Sequence, residues 1–167
     1  GELEELGLNK MTVRRLVERD RLESPARGVY QHPDYEPHIL DEFAVVAKRC
    51  PEAVFNLYSA ASHHDITQAT PGGIWIGLPP HRNSSPQMGG NFYLEIIPLR
   101  WSRDLDVEVG VEVINFRGID LRITNPVRTA VDMWRYSSYN PSLRGTQSKV
   151  HDENLLQCMG AYLDKVD

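Results

Sequence analysis

Leu8-Asn9-Lys10-Met11-Thr12-Val13-Arg14-Arg15-Leu16-Val17-Glu18-Arg19-Asp20-Arg21 runs directly into Leu22-Glu23-Ser24-Pro25-Ala26-Arg27-Gly28-Val29-Tyr30-Gln31, and the change of pattern between the two sets the fold of the N-terminal part. Val13, Leu16 and Val17 recur at helical spacing, with Met11, Arg14, Arg15 and Glu18 on the opposite side, so a two-sided helix is expected as far as Arg21. Asn9 is suited to cap it. Leu22-Glu23-Ser24 and Val29-Tyr30-Gln31 are short strand-like pieces around the turn formers Pro25-Ala26-Arg27-Gly28. In front, Glu2 to Leu6 is compatible with a short helix that Gly7 ends. Helix, tight turn, helix and hairpin is the order of a winged helix-turn-helix, which needs one further helix ahead of these. The native protein is therefore expected to begin upstream of Gly1.

Charge is concentrated in the same stretch. Leu8 to Tyr30 carries six basic residues (Lys10, Arg14, Arg15, Arg19, Arg21, Arg27) against three acidic ones (Glu18, Asp20, Glu23), although the 167-residue chain has a net charge of −5. The negative total argues against a protein that coats a polyanion with its whole surface; a basic island on an acidic chain makes one patch for one. The helix with Lys10, Met11, Thr12, Arg14 and Arg15 has the size to enter a major groove, its first residues toward base edges. Arg27, in the turn after it, sits where a wing meets phosphate or the minor groove.

His32-Pro33-Asp34-Tyr35-Glu36-Pro37 has two prolines and no periodicity, which suits a boundary between a module at 1–32 and a second domain at 38–167. In that domain the pattern predicts helices over 39–49, from a Ser59 cap to His64, over 126–136 from Asn125-Pro126, and over 152–163. Strands are expected at 73–78, 92–99, 107–116 and 119–124, the last two a hairpin around Arg117-Gly118, with loops at 79–90 and 137–149. The fold class is α+β: the winged module followed by a mixed domain with a small antiparallel sheet.

Catalytic and metal chemistry find little support. His63 and His64 are adjacent, so on a helix their side chains diverge by about 100°, and His64 reads as a cap for its own helix end. Arg128 and Asp132 have the spacing of a modest ion pair within one helix. Glu95, Asp106, Glu108 and Glu112 raise the question of a metal-dependent nuclease, but no lysine lies between Arg49 and Lys149 to complete such a site, and the acidic residues fit the solvent face of a strand. No catalytic residue, metal or cofactor is assigned. Cys50 and Cys158 lie far apart and suit two free buried thiols in a reducing cytoplasm. No apolar run approaches the roughly 20 residues of a membrane span.

Three segments carry a family likeness. Leu16-Val17-Glu18-Arg19-Asp20-Arg21-Leu22 through Ala26-Arg27-Gly28-Val29-Tyr30 closely resembles the AbiEi antitoxins of type IV toxin-antitoxin systems, in which a recognition helix runs into a short wing. Ser59-Ala60-Ala61 through His64-Asp65-Ile66 is similar to that family's Ser-Ala-Leu segment and following His, with Ala61 and Asp65 as departures. Asn125-Pro126-Val127-Arg128-Thr129-Ala130-Val131-Asp132 is similar to its Pro-x-Arg-Thr-x-x-Asp element. The resemblance implies a cytoplasmic transcriptional autorepressor of phage-defence type that binds double-stranded DNA at its own promoter. Its larger domain is then expected to oppose an AbiEii-type nucleotidyltransferase toxin, with Ser59, His64, Arg128, Thr129 and Asp132 as structural motif residues. The alternative is a stand-alone regulator whose C-terminal domain binds another protein.

Overall fold

The computed structural model describes residues 2–70, 72–80, 86–89, 91–100, 108–137 and 150–166. The chain is mixed α+β. Helix α1 (Glu2–Glu5) closes at Gly7, whose φ of 77° lets the Leu8 amide reach back to the Leu3 carbonyl. Helix α2 (Lys10–Glu18) starts at Asn9, whose side-chain oxygen accepts the Thr12 amide at 2.9 Å. It stops three residues before the expected Arg21. Asp20 turns left-handed at φ 52°, and the Arg21 amide closes onto the Leu16 carbonyl. The hairpin β1 (Glu23–Ala26) and β2 (Val29–Gln31) has a tighter turn than Pro25 suggested: Pro25 and Ala26 are in the strand, and the chain reverses over Arg27 and Gly28 alone. A register shift between Glu23 and Ala26 accommodates the proline within this edge pair.

The second part is built on α3 (Asp41–Arg49), β3 (Val54–Phe55), α4 (Leu57–His63), β4 (Ile74–Leu78), β5 (Ile96–Arg100), β6 (Val111–Phe116), β7 (Ile119–Thr124), α5 (Pro126–Arg135) and α6 (Asp152–Val166). Its sheet is not the small antiparallel one expected. It has five strands in the order β5-β4-β3-β7-β6, with β3–β7 and β4–β5 parallel. The antiparallel hairpin β6–β7 closes on Arg117 and Gly118, both at positive φ, as a two-residue primed turn requires. Strand β5 begins four residues later than the expected 92, and residues 81–85, 90, 101–107 and 138–149, including parts of both expected loops, lie outside the described residues.

Alternation along the strands divides the interior. Phe55, Ile76, Leu121 and Ile123 face α3, where Phe43 stacks on Phe55 at 4.2 Å between ring centres. Val54, Leu99 and Met133 face the layer with Leu155 and Cys158 of α6, and the Tyr58 hydroxyl accepts bonds from the His151 amide and the Asn154 side chain. Ala26 of the hairpin is fully buried in the α3-side core, with Val29 packed against it. The 32–38 connection is pinned as well: Tyr35 donates to Asp41 at 2.6 Å, and the Arg117 guanidinium lies 4.3 Å from the Tyr35 ring centre. Both cysteines are free and buried, and burial pushes the Cys158 thiol up to about 11. No helix among the described residues is long and apolar enough to cross a membrane.

Phe55 joins the central strand to α3 and has no exposed surface. Phe55→Ala is expected to destabilise the fold by about 3–5 kcal/mol, read from urea unfolding, because the cavity lies between sheet and helix and neither can close it.

Candidate nucleic-acid interface

The cap at Asn9 orients α2 so that Val13 is buried and Leu16 and Val17 are half-buried. Lys10, Met11, Arg14, Arg15 and Glu18 are consequently exposed, Met11 by 60%. Two of the expected interface residues are already engaged. The Thr12 hydroxyl joins its own amide on the Asn9 side chain, and Arg14 pairs with Glu18 at 2.8 Å. Such an exposed helical pair is worth a few tenths of a kcal/mol, so it costs little to exchange for another anion.

Arg27 occupies the hairpin tip with an exposed side chain, while its backbone amide donates to the Met88 carbonyl at 3.0 Å. Residues 86–89, expected to belong to a loose loop, therefore hold the tip in place. The Arg49 guanidinium donates to the neighbouring Gln87 carbonyl, also at 3.0 Å. Between α1, α2, the hairpin and the end of α3 lies a groove of about 720 Å³. Lys10, Arg27, Lys48 and Arg49 line it. Lys48 and Arg49 were not legible as part of this site. They lie more than twenty residues after Arg27 in sequence and read as ordinary cations in the last turn of a helix.

The other expected residues lie on α4 and α5 or, for His64, at the end of α4. Ser59 does not cap α4; the capping position is Asn56, and Ser59 lies inside the helix with its hydroxyl accepting the Trp75 amide at 2.8 Å. His64 takes the C-cap position of α4 with its backbone amide donating to the Ala60 carbonyl, while its imidazole reaches β7: Nε2 donates to the Thr124 carbonyl at 2.7 Å, which assigns the proton to that nitrogen. The Thr129 hydroxyl bonds to Thr124. Arg128 and Asp132 form more than a modest surface pair, since their side chains are 9% and 2% exposed with Nε and Oδ2 2.8 Å apart. Arg128 also donates to the Val109 carbonyl. His64 and Thr129 thus tie α4 and α5 to β7, Ser59 ties α4 to β4, and Arg128 and Asp132 pair within α5.

His63 stands edge-on to His64 at 4.9 Å between ring centres, and burial followed by its neighbour's charge lowers its pKa. Among the described residues no group of three or more His, Cys, Asp or Glu side chains is placed to hold a metal ion. Glu108 pairs with Arg122; Asp106 and His81 lie outside the described residues. A second surface is apolar: Val127, Val131 and Trp134 of α5 and Met159 and Leu163 of α6 are exposed around one groove. Compared with models of known protein families, the chain matches none, and a search of curated proteins gives no significant match.

Burial raises the Asp132 carboxyl above its usual pKa, with the Arg128 guanidinium opposing the shift. Removing the carboxylate would leave a buried guanidinium uncompensated, so Asp132→Ala is expected to cost about 3–5 kcal/mol. The native state also holds the Asp132 proton more tightly than the unfolded chain does. Its contribution is thus greatest below the ordinary carboxylate pKa and declines as pH rises through that value toward the raised one. Urea unfolding of wild type and Asp132→Asn across this range should show their stability difference moving in favour of the variant as pH rises.

Proposed function

We propose that the chain is a DNA-binding regulator of the AbiEi antitoxin type, which grips duplex DNA with a winged helix-turn-helix and uses its larger part against a nucleotidyltransferase toxin. The observation that carries this reading is the run of exposed cations on α2, followed at once by a hairpin with Arg27 at its tip. Helix α1, the turn at Gly7, helix α2 and the hairpin follow the order of such a module. In this reading Lys10, Met11, Arg14 and Arg15 face the major groove and Arg27 lies on the backbone. The three segments that resemble the family supply the toxin half of the proposal. An apolar groove such as that between α5 and α6 is a surface that a protein partner covers.

Arginines on the helix and at the wing should differ in what they do. Loss of a bidentate arginine–guanine contact removes about 1–3 kcal/mol of discrimination, so Arg14→Ala or Arg15→Ala should narrow the affinity ratio between the chain's own upstream DNA and scrambled duplex. Arg27→Ala should weaken both about equally and lower the salt slope by about one. Fluorescence anisotropy on both duplexes across a salt series separates these cases; equal affinity of the wild type for the two duplexes at physiological salt would sink sequence-specific repression.

The toxin half has its own test. Trp134 is 45% exposed on the apolar groove, so Trp134→Glu should leave DNA affinity and melting temperature unchanged while abolishing rescue of cells that express the partner toxin. Full rescue by this variant would place the toxin-facing surface elsewhere.

A further inference from the structure

We infer that the outer edge of β6 is an interface at which two copies of the chain pair antiparallel about a two-fold axis at Ile114, joining their sheets into one. Pairing of this kind is independent of any contact with DNA. The described sheet ends in β5 on one side and β6 on the other. Exposed strand edges invite pairing with other chains, and folded proteins blunt them with proline, lysine or bulges. Strand β5 carries Pro98, and the separate N-terminal hairpin has Pro25 and a shifted register. Strand β6, Val111-Glu112-Val113-Ile114-Asn115-Phe116, has neither proline nor lysine, and its six pairs with β7 run without a break. Val113 is 61% exposed on it, and Glu112 and Asn115 are exposed as well.

Hydrogen-bond parity chooses the register. The two-residue turn at Arg117 and Gly118 makes Phe116 and Ile119 a bonded pair, so by alternation Ile114 and Glu112 also bond to β7. Val111, Val113 and Asn115 then turn their amides and carbonyls outward. The bond from the Asn125 amide to the Gly110 carbonyl keeps the same alternation. Val111 gives its amide to the Glu108 carbonyl, whereas the outward groups of Val113 and Asn115 have no partner among the described residues. A second copy that sets its Asn115 against Val113, and its Val113 against Asn115, satisfies all four of these groups on each strand. The axis then passes between two Ile114 side chains. A shift by two residues would pair Val113 with itself and require the Val111 amide, which is already used. In the chosen register Glu112 faces Phe116 of the second copy, on the same side of the sheet. The Arg117 guanidinium lies over that ring, 5.2 Å from its centre, so each Glu112 comes next to an arginine of the other copy. Thus the strand supplies its own complement in hydrogen bonds and in charge, which favours a second copy over an unrelated extended segment.

Sedimentation equilibrium of the full chain under reducing conditions should show a monomer–dimer equilibrium with a dissociation constant below the millimolar range. Glu112→Arg, at an exposed position, should raise that constant about tenfold, because two attractive pairs become repulsive. Val113→Pro should abolish the dimer: its amide lies outside the β6–β7 ladder, so the hairpin survives while a donor and room for the second strand are lost. Where far-UV circular dichroism shows that this proline alters the fold, Glu112→Arg and cross-linking decide. Ile114→Cys should form an intermolecular disulfide on mild oxidation, since directly opposed residues of a non-bonded pair have Cα atoms about 4.5 Å apart. Val113→Cys, although more exposed, should not, because the two copies of that residue lie diagonally, about 7–8 Å apart. Cys50 and Cys158 are buried, so the wild type should stay uncross-linked. A wild type that is monomeric up to millimolar concentration overturns the inference. So does a dimer insensitive to both Glu112→Arg and Val113→Pro, or cross-linking through Val113→Cys in preference to Ile114→Cys.

Discussion

The architecture depends on a central strand of only two residues. Val54 and Phe55 point to opposite faces, and both are wholly buried, so the α3 layer and the α6 layer take their position from one dipeptide. Strand β3 is also where the two halves of the sheet join, antiparallel to β4 on one side and parallel to β7 on the other. The cost of so short a centre lies next to it. Leu57 is held left-handed at φ 44°, and the buried Asn56 side chain has no hydrogen-bond partner. Strain and an unsatisfied amide persist only where surrounding packing over-determines the conformation, which the fully buried Leu57 and its contacts supply.

Local chemistry was readable from the sequence and long-range pairing was not. Asn9 and Asn125 cap helices as their residue type and position predict, because a cap is settled within four residues. Arg117-Gly118 likewise turns its hairpin by its own preferences. The parallel neighbours of β3 and β4 lie far along the chain, and nothing in an apolar run such as Ile74 to Leu78 states which strand it will meet. Ser59 was misread for a related reason: serine at a helix start and serine bonded to a distant amide look alike until Trp75 is placed. The interface divides in the same way. The exposed face of α2 follows from its 3.6-residue period, whereas the approach of Lys48 and Arg49 to Arg27 is a product of tertiary packing.

Charge and burial together sort the polar residues into two populations. Cations on α2, at the hairpin tip and at the end of α3 remain at the surface, where an exchange of partners is inexpensive. Arg128 with Asp132, and Thr124 with Thr129, are inside and committed in pairs, and there the loss of a partner leaves a desolvated group behind. The first population suits reversible contact with a polyanion. The second holds the body rigid beneath it.

The bond from the Arg27 amide to the Met88 carbonyl, together with Ala26 in the main core, has a consequence for protein engineering. The first thirty residues are not a portable module. Grafted onto another scaffold, the hairpin would expose Ala26 and lose the carbonyl that aims its tip, so a chimera would need residues 86–89 and the α3 surface to travel with it.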